Sequence, residues 1–321
     1  MPGVAAAVMT AAVALTAACG GSDAAPEARP TIALLRVVPD DDHGVFISEL
    51  RAQGWNIGRD VAVFPEDPER LFPDEDAARA TLRSWVGAGV DVVVAFSTPF
   101  ARLAAEEGRG TPVLFLLNDP VAAGLVGDTQ RPDRGATGVT FRTPADRTLA
   151  LAQRLVGTLG HVGYLRPADD PGVEGHRAAV RAAAEELGVR VTETSFLELA
   201  DVAPAVEELV AAGVEAVWVA NSTATVQALE PLRSALSDAN LPVIANTDFV
   251  DFAVLIVTPD GAELRRQLAR QAARLLAGAD VSAVPVEDPR KFVVILNRTV
   301  AAALGLPEPD PALLRQADVV R

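Results

Sequence analysis

Two stretches of this 321-residue chain nearly spell each other: residues 88–98 read AGVDVVVAFST and residues 212–223 read AGVEAVWVANST. Thr111-Pro112-Val113 likewise answers Leu241-Pro242-Val243. Each of these later runs ends in a polar corner, Asn118-Asp119 in the first half and Asn246-Thr247-Asp248 in the second. One duplication of about 125 residues is far longer than the 20 to 50 residue period of a solenoid, so the chain is expected to form two similar lobes.

Within each half, short apolar runs alternate with Ala-rich amphipathic stretches of helix length, the pattern of a parallel α/β sheet. Strands are expected at 32–38, 61–64, 90–96 and 113–117, with helices at 45–53, 76–86 and 100–107. The second half repeats this with strands at 161–165, 190–195, 214–220 and 242–245, and helices at 174–187, 202–212 and 224–237. The run VLFLL at 113–117 has no polar alternation, which suits a strand covered on both faces. Beyond Asp248 come a strand at 252–257, a long helix at 261–276 and a strand at 292–297. The chain is expected to cross between lobes near 141–146, 247–252 and 285–291. Lobe 1 is then residues 31–142 with 250–284 returning to it, and lobe 2 is 143–249 with 285–321. Several short crossings make a hinge.

Half of the residues are hydrophobic, ample for a core of this size. The formal charge of −15 excludes a nucleic-acid surface, which needs clustered basic charge to neutralise phosphates. Residues 4–18 form an uninterrupted stretch of apolar and small residues and Thr. It is too short to span a bilayer and has the length of a signal-peptide apolar region. It ends at the chain's only cysteine, Cys19. The segment Leu15-Thr16-Ala17-Ala18-Cys19-Gly20 resembles a bacterial lipoprotein processing site, which implies cleavage before Cys19, a lipid on its thiol and a flexible tether at 20–30.

In a parallel sheet the carboxyl ends of the strands border the crevice where ligands bind. Asn118 and Asp119 stand at such a lip, with Asp248 at the matching corner. Asp119 is read either as an acceptor for a ligand amine or as a turn carboxylate before Pro120. Ser97-Thr98-Pro99 supplies an N-cap hydroxyl and an early helical proline. The same place suits an anion, and Asn221-Ser222-Thr223 is its counterpart. The loop Asp40-Asp41-Asp42-His43 follows the first strand. Consecutive residues cannot all turn inward and no second ligand cluster appears, so no metal is expected; Asp41 or His43 is the expected inward residue. Arg166, after the first strand of the second half, is a further crevice candidate, and Phe46, Phe96, Phe100, Phe115, Trp218 and Phe249 are the aromatic ones. No dinucleotide fingerprint, Walker-type loop or metal-spaced histidine pair occurs. His161 begins a strand and His176 is expected on a surface helix, which leaves only His43 within reach of the crevice. No enzyme activity and no cofactor are expected.

FISELRAQGWNIGRDVAV at 46–63, DVVVAFSTPFARLAA at 91–105 and NDPVAAGLVGD at 118–128 carry a resemblance to a known family. TGVTF at 137–141, RQAARLLAGADVSAVPVE at 270–287 and KFVVILNRTVAAALGL at 291–306 extend it. The chain resembles the substrate-binding lipoproteins of ABC importers of the TrpX-like group. That resemblance implies two Rossmann-like lobes of the type I periplasmic-binding-protein architecture, closing on a small solute that is often an aromatic amino acid. It also implies a lipid-anchored extracytoplasmic monomer, with an ABC permease and its ATPase as partners. The alternative is a ligand-sensing module for a signalling partner. One departure bears on the solute: residues 253–261, AVLIVTPDG, lack the Ser-Tyr-Gly usual there, and Tyr164 is the only tyrosine.

Overall fold

The computed structural model describes residues 29–36, 42–67, 70–72, 74–157 and 159–321. The expected signal segment with Cys19, most of the tether, and Asp41 lie outside the described residues.

The first lobe runs β1 (Thr31–Leu35), α1 (His43–Ala52), β2 (Ala62–Phe64), α2 (Glu75–Gly87), β3 (Val92–Ala95), α3 (Thr98–Glu107), β4 (Val113–Leu117) and β5 (Ala136–Thr140). Its five strands are all parallel in the order β2-β1-β3-β4-β5. Every residue of β3 and β4 is buried, because helices cover both faces of the sheet and leave no face for polar residues. On one face Phe72, Leu82, Phe100 and Leu103 pack against Val93 and Phe115. On the other, Phe46 and Leu50 of α1 meet Leu114 and Leu116.

The second lobe opens with α4 (Ala145–Val156), β6 (His161–Pro167), α5 (Glu174–Leu187), β7 (Arg190–Phe196), α6 (Val202–Ala211) and β8 (Ala216–Val219). It continues with α7 (Thr223–Gln227), α8 (Leu229–Asp238), β9 (Val243–Ala245) and β10 (Leu255–Pro259). The expected single helix at 224–237 is two, because Pro231 in the first turn of α8 has no N–H to give and crowds the carbonyl four residues back. The strand order β7-β6-β8-β9-β10 is the order of the first lobe repeated. The duplication in the letters is therefore a duplication in topology.

That repeat corrects one expected boundary. Residues 250–259 do not return to lobe 1: β10 pairs in parallel with β9 and takes the fifth place in the second sheet, as β5 does in the first. The crossing expected at 247–252 lies instead after Pro259, where Asp260 caps α9 (Gly261–Leu276) through the Glu263 amide. Helix α9 lays Leu264, Leu268 and Ala272 on the first lobe. The chain then passes β5, where Glu287 exchanges backbone hydrogen bonds with Gly138 and Thr140, and re-enters the second sheet. Gly138 is required there, since a Cβ would overlap the backbone of Phe115. β11 (Phe292–Leu296) adds antiparallel to β10, followed by α10 (Arg298–Ala303), α11 (Pro311–Leu314) and β12 (Val319–Val320), the last parallel to β11. Three connections thus join the lobes, at 141–144, at 260 and at 284–291.

Candidate functional site

In the strand order 2-1-3-4-5 the chain leaves the first strand in opposite directions, and the carboxyl ends flanking that switch point leave a crevice. Here both lobes turn theirs toward each other. A cavity of about 150 Å3 lies between them, lined from lobe 1 by the residues after β1 (Arg36), β3 (Phe96, Ser97, Thr98), β4 (Asn118) and β5 (Phe141). Lobe 2 supplies Asp170 after β6, Asn221, Ser222 and Thr223 after β8, and Thr247 and Phe249 after β9. Arg265 reaches in from α9. A wider compartment of about 530 Å3 shares Ser97, Thr98, Asp170 and Thr223 with it and continues toward Arg102, Glu106 and Gln227.

The duplicated sequence produces duplicated capping. Ser97 and Ser222 both sit in extended backbone, with φ of −162° and −160°, and their hydroxyls accept from the amides of Phe100 and Thr225 at 3.3 and 3.0 Å. Capping therefore occupies both serine oxygens, while Thr98 and Thr223 stand beside them at the cavity wall. Thr225 donates 2.7 Å to the Ala220 carbonyl and locks the second corner. Asn221 is held by its own amide, which donates 3.2 Å to the side chain of buried Asn246.

Charge of both signs meets in this space. Arg36 is 1% exposed at the end of an apolar strand. Arg265 lies 5.0 Å over the Phe96 ring, in cation–π range. Asp170 accepts from the Gly172 amide at 2.8 Å, and burial pushes its carboxyl up, opposed by that amide and by the Ser222 hydroxyl.

Of the sequence candidates, Ser97, Thr98, Asn118, Asn221, Ser222 and Thr223 come together on this cavity. Asp119 does not line it: one of its oxygens accepts from the amides of Val121 and Ala122, the turn role that a carboxylate before Pro120 favours. Asp248 is exposed, since it is Thr247 that turns inward at that corner. Arg166 donates to the carbonyls of Pro167 and Ala168 and so ties its own loop. His43 opens α1, half-buried, away from the lining of both compartments. His176 lies on α5 half-buried, with its ring turned inward: its Nδ1 meets the Tyr164 hydroxyl at 2.8 Å and its ring edges Trp218 at 5.0 Å. Among the described residues no cluster of His, Cys, Asp or Glu could hold a metal.

Arg36, Asp170, Phe141 and Arg265 were not legible as site residues, although a lone arginine closing an apolar strand is a usable signal. No residue of 253–261, where the family tyrosine is absent, lines the cavity; its aromatic surface comes from Phe96, Phe141 and Phe249. No helix among the described residues is long and apolar enough to cross a membrane.

Solved structures share this two-lobed fold. A Streptococcus pneumoniae ABC domain in complex with L-Trp superposes with a TM-score of 0.79 at 20% identity, over 92% of this chain and all of that one. The ligand-free, open structure of a Clostridium difficile substrate binding protein with adhesive properties gives 0.70 at 20% identity, over 91% and 99%. A tyrosine-binding protein of Clostridioides difficile strain R20291 is 21% identical over 264 residues, 81% of this chain and 75% of its own length. The sequence pattern of the ABC transporter substrate binding proteins matches residues 49–320. With that match spanning both lobes and every strand that closes the cleft save β1 and the start of α1, the chain belongs to the ABC transporter substrate-binding protein family.

Proposed function

We propose that this receptor captures a zwitterionic aromatic amino acid and delivers it to its transporter. The observation that carries the reading is a cavity between the lobes that combines guanidinium groups, one carboxylate and three phenylalanines. A solute carboxylate is matched by Arg36 and Arg265 and by the amides at the start of α3. The ammonium is matched by Asp170. A volume of about 150 Å3 is what a benzene-sized group fills. A ring held among Phe96, Phe141 and Phe249 would leave its polar head at the Thr98, Asp170 and Thr223 boundary with the wider compartment. The relatives known to bind tyrosine and tryptophan support this class.

Magnitudes agree with a need for both kinds of contact. Micromolar affinity corresponds to about −8 kcal/mol. Burying the ring contributes roughly 2–3 kcal/mol, and charged hydrogen bonds contribute roughly 1.5–3 kcal/mol each. Because the contacts come from both lobes, binding favours the closed state over the open one.

Titration calorimetry with L-Trp, L-Tyr and L-Phe, against L-Ala and glucose, tests the reading. Saturable binding of an aromatic amino acid at micromolar level is expected. Equal affinity for L-Ala would remove the aromatic part, and binding of glucose alone would remove the amino-acid part. The same reading holds the mature protein to the outer face of the cell membrane as a monomer, through a lipid on Cys19. Cys19→Ala is then expected to move it from the detergent-extracted to the soluble fraction.

A further inference from the structure

The lobes touch at a second place, outside the cavity. Asp119 uses one carboxylate oxygen for its own turn, at 3.1 and 3.0 Å from the Val121 and Ala122 amides. The other oxygen faces Gly175 of the opposite lobe so closely that a Cβ on Gly175 would overlap it. Gly175 lies in the first turn of α5, which continues the short turn Pro171–Val173. A carboxylate 9% exposed thus abuts the first turn of a fourteen-residue helix, just past that short turn, which runs into it and is capped by Asp170 through the Gly172 amide. One turn earlier, a Cβ on Gly172 would stand 2.8 Å from the Thr98 hydroxyl and 3.7 Å from the Thr98 Cβ. Two glycines spaced three apart therefore admit lobe 1 to the face of lobe 2: a Cβ at Gly175 would press on the Asp119 carboxylate, and one at Gly172 on Thr98 and, in its own lobe, on the Asp170 carboxylate at 2.9 Å.

We propose that Asp119 and Gly175 form an interlobe latch, in which Gly175 sets how far the cleft shuts and Asp119 holds it shut by its charge against the start of α5. The latch makes both residues determinants of solute affinity although neither touches the cavity. It rests on reading the protein as a receptor that closes, but not on which solute it closes upon.

A disulfide trap reads closure directly. The 3.7 Å Cβ separation at Thr98 and Gly172 falls within the 3.5–4.5 Å range of disulfides. With Cys19→Ala, the pair Thr98→Cys and Gly172→Cys holds the only thiols in the chain. Under oxidised glutathione with no solute added, the cross-link is expected to form, and its rate is scored on non-reducing gels. Gly175→Ala is expected to slow it about tenfold or more, since the closed state must shift to admit the Cβ. Asp119→Asn, which keeps the turn acceptor but loses the charge, is expected to slow it about two- to fivefold. Asp119→Ala added to Gly175→Ala is expected to recover much of the lost rate by making room, which damage confined to lobe 2 would not allow. Cross-linking of Gly175→Ala at the parent rate, absence of recovery in the double variant, or no cross-link in the parent each overturns the latch. Failure of every aromatic amino acid to bind, with the trap behaving as expected, removes the solute reading and leaves the latch standing.

Discussion

The side-chain amide of Asn118 donates a 2.8 Å hydrogen bond to the backbone carbonyl of Asn221, so the tip of β4 in one lobe holds the loop after β8 in the other. The bond joins the two lobes, so any separation of the lobes breaks it. A net contribution of about 1 kcal/mol is typical of such a bond. Asn118→Ala is therefore expected to weaken solute binding about fivefold while leaving the melting temperature without solute nearly unchanged. Calorimetry paired with thermal unfolding checks this, and an unchanged dissociation constant would show that the bond contributes nothing to closure.

Asp170 separates stability from function. Its carboxyl is raised by burial, so the native protein holds this proton more tightly than the unfolded chain does. Stability from this group falls as pH rises from the ordinary carboxylate value through the raised one, and at neutral pH the buried charge is a cost. Asp170→Asn keeps an acceptor for the Gly172 amide and removes the charge. The melting temperature without solute is expected to hold or rise, while affinity for an ammonium-bearing solute falls about tenfold to hundredfold. In the unmodified protein, affinity is expected to drop on acidification once Asp170 protonates. Parallel loss of stability and affinity in Asp170→Asn would mean that the residue serves the fold alone.

The aromatic lining makes a selective prediction. Phe249 is 42% exposed at the cavity edge, where a solute ring can pack on it. Aromatic pairs contribute about 0.5–1.5 kcal/mol beyond their buried area. Phe249→Ala is expected to weaken binding of an aromatic amino acid by at least about threefold and to leave any weak binding of L-Ala unchanged. Equal weakening of both solutes would assign Phe249 to closure and not to recognition.

The corners of this site were legible because helix capping is local chemistry. Ser97 and Ser222 announce helix starts by residue type and spacing, and the apolar run ending at Asn118 announces a buried strand that stops. Arg36 was hidden because an apolar strand was expected to run through it, and only the position of the cleft shows that the strand ends there. Asp170 and Arg265 come from a loop and a helix face that approach the cavity through tertiary packing alone. The same limit explains Asp119. Its turn role and its ligand role predict the same letters, and only the opposite lobe reveals what its second oxygen faces. β10 was assigned to the wrong lobe because the strand alone does not say which sheet it joins: its paired residues lie 11 positions away in β9 and 33 to 41 away in β11, and its place as a fifth strand emerges only from the repeat in topology.

Below the cleft, the core of lobe 2 carries an acid-sensitive group. His176 accepts or shares its Nδ1 contact with the Tyr164 hydroxyl, its ring edges Trp218, and its Nε2 is enclosed without a protein partner. Burial lowers its pKa to about 4, and raises that of Tyr164. A histidine whose folded value lies below the unfolded value of about 6.5 binds fewer protons when native. Its contribution is therefore fully present above about pH 6.5 and is lost as pH falls toward 4, by as much as about 3 kcal/mol. His176→Gln keeps an acceptor for Tyr164 and cannot titrate in this range. Melting temperatures measured from pH 7.5 to 4.5 are expected to fall steeply for the unmodified protein and less for the variant, the two curves converging or crossing as pH drops. Parallel curves would locate the acid sensitivity elsewhere, because carboxylates common to both proteins titrate identically and only His176 distinguishes them.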